Sequence, residues 1–128
     1  MSYTHHDGGR SQYYKGTAGD CAARAMAIAL QLDYKQCYKQ LAAAHALRTG
    51  KRTAREGIHK KTLSNVLAAH GWIWHAAPQF DGRKARASDI PGRAVVSMAK
   101  HFAAVIDGEV FDIFDSSNKM VYGYWSKP

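Results

Sequence analysis

The chain has 128 residues, of which 46% are apolar or aromatic and 22% are charged. This length and composition predict one packed domain, residues 1–128, and exclude disordered and fibrous proteins. The first ten residues are polar and no apolar run is long enough for a membrane span, so neither a signal peptide nor membrane insertion is expected. Two cysteines are too few for a disulfide framework, which favours reduced thiols in the cytoplasm.

Positive charge is in excess: 18 Lys and Arg against 10 Asp and Glu give a net charge of +8. Six of these cations fall in residues 48–61, where Glu56 is the lone acid. The stretch from Arg48 to Lys61 is interpreted either as a solvated surface or as the contact for an acidic partner. No recognised nucleic-acid-binding motif accompanies the charge, so nucleic acid is the lesser alternative.

The amino-terminal third begins with a polar stretch, residues 1–12, that includes a Gly-Gly pair and predicts a mobile arm. Asp20 is then expected to cap a helix over residues 21–32. This Ala-rich segment is apolar on nearly all sides, which is typical of a helix at the centre of a domain. Its one cation, Arg24, is expected to pair with Asp20 or to contact the functional site.

Two further helices follow, over residues 34–48, capped by Asp33, and over residues 59–70. A short strand at 72–74 and a loop over 78–93 complete the middle of the chain. The last third predicts four strands, at residues 94–98, 101–106, 110–114 and 121–125. Helices followed by an antiparallel sheet give an α+β fold class.

Cys21 would occupy the first turn of the first helix. There, unpaired backbone N–H groups and the positive end of the helix dipole favour a thiolate over a thiol. The alternative is a small buried core residue, as free cysteines often are.

The pair Asp107-Gly108 predicts a two-residue hairpin turn in which Ile106 pairs with Glu109. In that register His101 and Asp112 share one face and lie diagonally across from each other, within reach of a hydrogen bond. Asp115 falls on the opposite face unless a bulge redirects it. A histidine with a carboxylate to orient it is the arrangement of a general base.

Three segments carry a resemblance to a known family. They are GDCAARA at residues 19–25, HFAAVIDG at 101–108 and FDIFDS at 111–116. In order and local context they resemble the papain-like cysteine peptidase superfold, in its small bacterial and phage-type members and the bacteriocin-processing peptidases.

The resemblance implies a central N-terminal helix bearing Cys21, packed on a C-terminal antiparallel sheet bearing His101 and Asp112. Cys21 would be the nucleophile, His101 the base and Asp112 the third member, with Asp115 as second choice. The expected activity is hydrolysis of a peptide or isopeptide bond in a protein or peptide substrate, with no cofactor and no metal. Acyl transfer or deamidation by the same residues, or a non-enzymatic basic phage-type protein that binds a host factor or nucleic acid, are the alternatives.

Papain-like peptidases usually place a glutamine a few residues before the cysteine, where it helps to stabilise the oxyanion. Here the nearest is Gln12, further upstream, and Lys15 occupies the expected neighbourhood. Gln12, Thr17 or the backbone N–H of Cys21 is therefore expected to take that role.

Overall fold

The computed structural model describes residues 3–16, 19–55, 57–80 and 82–128. Across these residues, three α-helices lie against one face of a six-stranded mixed sheet. All three helices precede the last five strands in the chain, which confirms the α+β class.

The helices begin and end within two residues of their predicted bounds and span Cys21–Leu30 (α1), Tyr34–Thr49 (α2) and Lys60–Ala69 (α3). α1 ends earlier than expected because Gln31 adopts a left-handed conformation, with φ of 57°. α2 begins where the Asp33 carboxylate accepts the Gln36 backbone N–H, and it ends at Gly50, with φ of 81°.

The strands are Tyr3–His5 (β1), Ile73–Ala76 (β2), Arg93–Met98 (β3), His101–Ile106 (β4), Glu109–Asp112 (β5) and Val121–Ser126 (β6). In space they follow the order β1-β5-β4-β3-β6-β2. Neighbouring strands pair antiparallel except at one edge, where β1 runs parallel to β5. The prediction of a purely antiparallel sheet is therefore wrong at this edge.

α1 is the central helix, as its composition predicts. Ala23, Met26 and Ala29 are fully buried, and the helix packs against β4 on one side and α2 on the other. Its small side chains allow this close approach. Within the described parts of the chain, no helix has both the length and the apolar character needed to cross a bilayer.

The hairpin between β4 and β5 has the predicted register. Asp107 and Gly108 both have positive φ, 51° and 84°, as a type I′ turn requires. Ile106 pairs with Glu109, and the ladder continues in step to Ala104 and Phe111. The turn therefore fixes which side chains of the two strands share a face.

The amino-terminal segment belongs to the domain, so the prediction of a mobile arm over residues 1–12 is wrong for the residues described. Tyr3 and His5 pair with Val110 and Asp112 of β5. Arg10 is only 3% exposed. The polar composition misled because the strand that pairs with β1 is more than 100 residues away in the chain, and Arg10 meets Asp20 and Tyr34 only through tertiary packing.

The second face of the sheet is covered by the segment predicted to be a loop. A short helical turn at Ala87–Asp89, followed by Ile90, packs on Val96, Val105 and other apolar side chains. The sheet thus has a buried core on both faces, and this explains why both faces of β4 read as apolar in the sequence.

We expect Gly8→Ala to destabilise the protein more than Gly16→Ala. Both glycines have φ near 70°, so each alanine carries a cost of about 1–2 kcal/mol for the left-handed conformation. A Cβ on Gly8 would also lie 2.8 Å from the Arg24 carbonyl oxygen, whereas a Cβ on Gly16 meets nothing within 4 Å. The close contact should cost Gly8→Ala a further 1–3 kcal/mol, roughly, in urea-monitored unfolding. Equal losses would indicate that the amino-terminal segment is not docked on α1.

Candidate active site

Cys21, His101 and Asp112 meet at one end of the sheet. Cys21 is the first residue of α1, His101 the first of β4 and Asp112 the last of β5. Because β4 and β5 are antiparallel, the start of one strand and the end of the other lie side by side. α1 packs across β4 and brings its N-terminus to the same end.

His101 and Asp112 form the diagonal pair that the hairpin register predicts. The imidazole Nε2–H donates to Asp112 Oδ2 over 2.5 Å, and both side chains are buried. With Nε2 bonded to the carboxylate, the neutral imidazole keeps its lone pair on Nδ1. The Phe114 ring lies 4.8 Å from the imidazole and covers part of it.

The Cys21 side chain lies beside the His101 imidazole, near enough to contribute to the pKa of the imidazole. The thiol is half-buried, and both side chains line an open cavity of about 510 Å³. A thiol and an imidazole therefore lie side by side where solvent reaches them, which is the placement that a nucleophile and its base require.

The environment of His101 favours its protonated form. Burial lowers the pKa of the imidazole, but the hydrogen bond to Asp112, the charge of that carboxylate and the neighbouring Cys21 side chain outweigh burial. Together they raise the pKa to about 9, from an ordinary value of 6.5. An imidazolium that is stable in this place is what a base needs after taking a proton from a thiol.

The Asp112 carboxylate is saturated with donors. Oδ1 accepts from Arg24 Nη1 at 3.1 Å and from the Ile113 N–H at 2.8 Å, while Oδ2 accepts from His101 and from Ser116 Oγ at 2.8 Å. Burial raises the pKa of Asp112, but these partners, led by His101, lower it further than burial raises it. The carboxylate thus stays ionised and fixed in direction.

Asp115, the second choice for the acid, does not contact the imidazole. It is exposed, and Oδ1 accepts from the backbone N–H and the hydroxyl of Ser117. β5 ends at Asp112, two residues earlier than predicted, and the chain then turns without carrying Asp115 back towards His101. Of the two carboxylates, Asp112 is the one placed beside the base.

Of the three expected hydrogen-bond donors to the oxyanion, the structure describes two. Gln12 is exposed and lines a separate cavity with Ile28 near the far end of α1, so its expected role beside Cys21 is wrong. The short helical turn at Arg10–Gln12 directs the glutamine there. Thr17 lies outside the described residues. The backbone N–H of Cys21, at the N-terminus of α1, remains as the donor next to the sulfur.

Behind the site lies a chain of buried charges. Arg24 donates through Nη1 to Asp112 and through Nε to Asp20 Oδ1, the latter over 2.9 Å. Asp20 Oδ2 accepts from Arg10 Nη1 at 2.9 Å and from the Tyr34 hydroxyl at 2.5 Å. Both contacts expected for Arg24 are therefore present. We call the four residues of these ion pairs the buried charge cluster: Arg10, Asp20, Arg24 and Asp112.

Asp20 was expected to cap α1, but its side chain makes no capping hydrogen bond. Its carboxylate turns inward to the two guanidiniums instead. Burial raises the pKa of Asp20, and the Tyr34 hydroxyl with Arg24 and Arg10 lowers it below the ordinary value. Because the ionised Asp20 lies between two arginines, no buried cation of the buried charge cluster is unpaired.

The basic stretch is divided by the fold. Arg48 and Lys60 line the cavity beside Cys21. Lys51, Arg52 and Arg55 are exposed and do not line it. Only part of the stretch is therefore placed to act on a ligand of the site.

The second thiol differs from the first. Cys37 is fully buried in the core between the helices. Burial, with the charge of Asp33, raises the pKa of the Cys37 thiol to about 12. At neutral pH it is an apolar packing residue.

No role at the site was predicted from the sequence for two residues, Ser116 and Arg10. Ser116 follows Asp112 by four residues, within one turn of chain, and a polar residue so near a candidate acid was a usable signal. Arg10 had no such signal, because its partners Asp20 and Tyr34 are set by tertiary packing.

Comparison of the chain with protein-family models, curated proteins and solved structures finds no match.

We expect Arg24→Gln to lower the free energy of unfolding by about 3–5 kcal/mol, because it leaves Asp20 and Asp112 buried with one partner fewer each. The matched control is Arg83→Gln, which breaks an ion pair to Asp89 in which the arginine side chain is 40% exposed. That change should cost at most about 1 kcal/mol. Equal losses in denaturant titrations would show that the buried charge cluster contributes no more to the free energy of unfolding than an exposed ion pair does.

The pH dependence of stability tests the environment of His101. Its pKa rises from 6.5 to about 9 on folding, so its protonation stabilises the folded chain. This contribution is complete below the unfolded pKa of 6.5 and is lost as the pH rises through about 9. The stability gap between wild type and His101→Gln, measured by urea unfolding, should therefore shrink across this range. A constant gap would contradict the shift.

Proposed function

We propose that this protein is a thiol-dependent hydrolase that cleaves a peptide or isopeptide bond with Cys21, His101 and Asp112. The observation that carries the proposal is their arrangement in series: the Cys21 side chain lies beside the His101 imidazole, and the imidazole is hydrogen-bonded to a buried carboxylate at 2.5 Å. Cys21 and His101 line an open cavity, and Asp112 is buried behind it. Nucleophile, base and orienting acid in this order form the constellation of cysteine and serine hydrolases.

A papain-like fold is part of the same proposal. The layout that supports it is a buried helix, α1, with the cysteine at its first residue and β4 beneath it with the histidine at its start. The added parallel strand β1 lies beyond β5 and does not disturb this core. Fold and chemistry are separate claims, since the same three groups occur on unrelated folds.

The first half of the reaction forms a thioester. His101 Nδ1 takes the proton of the Cys21 thiol, and the sulfur attacks the substrate carbonyl carbon. The carbonyl oxygen becomes an oxyanion beside the Cys21 backbone N–H, where the positive end of α1 stabilises it. The carbon–nitrogen bond then breaks as His101 gives its proton to the departing amine.

The second half regenerates the enzyme. Water loses a proton to His101 and adds to the thioester carbonyl, and the carbon–sulfur bond breaks to release a carboxylic acid. The sulfur recovers its proton from the imidazolium. Asp112 keeps the ring in one orientation and stabilises its charge through both halves, and Arg24 and Ser116 keep Asp112 in place.

If an amine takes the place of water, the same intermediate gives acyl transfer, and if the substrate is a side-chain amide the reaction is deamidation. Product analysis separates these outcomes. The cytoplasm, where thiols stay reduced, suits a free Cys21 nucleophile.

We expect Cys21 to react with iodoacetamide at neutral pH well before Cys37, because Cys21 has a base beside it and Cys37 is buried with its pKa at about 12. Asp112→Asn should slow alkylation of Cys21 and reduce turnover about 100-fold or more, since the imidazolium loses its counter-charge. Asp115→Asn is the matched control and should react as wild type does, because its carboxylate is bonded to Ser117 alone among the described residues. Rates are measured by mass spectrometry of the alkylated peptides, with circular dichroism to verify folding.

Three outcomes would contradict the proposal. One is that Cys21 reacts no faster than a free thiol. Another is that Asp115→Asn slows the reaction as much as Asp112→Asn. The third is that Cys21→Ser keeps whatever activity the wild-type protein has, which would favour a non-enzymatic basic binding protein instead.

A further inference from the structure

The cavity that holds Cys21 and His101 has a strongly positive lining. Its cations are Arg48, Lys60 and Lys100, and none of the described residues that line it is an aspartate or glutamate. We call these three side chains the cationic rim. All three are exposed, and Lys60 also lines the neighbouring cavity that contains Trp74.

Three separate elements build the cationic rim. Arg48 comes from the last turn of α2, Lys60 is the first residue of α3, and Lys100 lies in the turn between β3 and β4. Lys100 holds a left-handed conformation there, with φ of 54°, next to the catalytic candidate His101. Convergence from three elements on one cavity is not explained by a solvated helix face, whose charges would belong to one element.

The cationic rim lacks acidic partners. Among the described residues, neither Arg48, Lys60 nor Lys100 forms an ion pair with a carboxylate. Lys60 instead places its ammonium 4.0 Å from the centre of the Trp74 ring, which holds the charge near one position. The exposed cations elsewhere include Arg83, which does have its own acid, Asp89.

The acids of the site do not cancel this charge. Asp112 and Asp20 are buried behind the cavity, and each already forms an ion pair with an arginine of the buried charge cluster. α1 and α3 both begin at the cavity, so their N-terminal ends add to the positive potential. A ligand entering the cavity therefore meets a positive field with little to oppose it.

We propose that the cationic rim selects acidic polypeptide segments, with Asp or Glu side chains close to the bond that Cys21 attacks. This inference rests on the proposed function, because a ligand of this cavity must present a carbonyl to the thiol. Between the cations the cavity has apolar side chains, among them Ile58, Met98 and Phe102, which suit the carbon atoms of a peptide better than a sugar-phosphate backbone.

The test compares two peptidyl vinyl sulfones of equal length, one with glutamates and one with glutamines flanking the reactive group. Both form a carbon–sulfur bond by addition of the Cys21 thiol to the vinyl carbon. We expect the glutamate probe to label Cys21 roughly tenfold faster at low salt, the combined effect of two or three exposed charge pairs. The preference should fade between about 0.1 M and 1 M salt, as the screening length falls from about 10 Å to about 3 Å.

Two charge-matched triple variants locate the effect. The first replaces Arg48, Lys60 and Lys100 by glutamine, and the second replaces Lys51, Arg52 and Arg55 by glutamine. Each removes three positive charges from the net charge of +8. The preference for the glutamate probe should vanish in the first variant and persist in the second, after each rate is divided by that of iodoacetamide.

Equal losses in the two variants would attribute the preference to net charge and overturn the proposal, as would a preference that survives in the first. An oligonucleotide that protects Cys21 from iodoacetamide better than an unreactive glutamate peptide would overturn it in favour of nucleic acid. Failure of the proposed function has a different signature: Cys21 then reacts with iodoacetamide no faster than a free thiol. Protection by the glutamate peptide still reports on the cationic rim in that case.

Discussion

Arg24 is the residue on which the rest of the structure depends. One guanidinium in the middle of the core joins Asp20 at the start of its own helix to Asp112 at the end of β5. Breaking such a buried arrangement is costly because each partner would be left charged in a medium of low polarity. The interaction therefore fixes the position of α1 on the sheet more strictly than packing of alanines could, since small apolar side chains slide over each other at little cost.

The same interaction links stability to chemistry. The oxygen of Asp112 that faces away from His101 is held by Arg24 and the Ile113 N–H, so the carboxylate cannot rotate. A fixed carboxylate fixes the imidazole, and the imidazole is directed at a thiol on the helix that carries Arg24 itself. The positions and charges of the site residues are thus set by contacts that link α1, β4 and β5 to one another, and not by flexible loops.

Local signals predicted much of this arrangement. The Asp107-Gly108 turn determined the register, and the register alone placed Asp112 beside His101. The Ala-rich composition of α1 predicted its central position. What could not be predicted depends on distant partners: β1 has three residues and pairs with β5 across the whole chain, and the burial of Arg10 follows from its contact with Asp20. Polar composition suggested solvent for both segments because the contacts that bury them form only through tertiary packing.

The contacts between α1, β4 and β5 also have a consequence for synthesis of the protein on the ribosome. Arg24 and Asp112 are 88 residues apart, and Cys21 precedes both of the strands that contribute to the site. At about 5–20 residues per second, the ribosome completes the helix of Cys21 several seconds before it delivers β4 and β5. During that interval the thiol has neither base nor acid beside it. The thiol, the imidazole and the carboxylate therefore come together only when β4 and β5 fold onto α1.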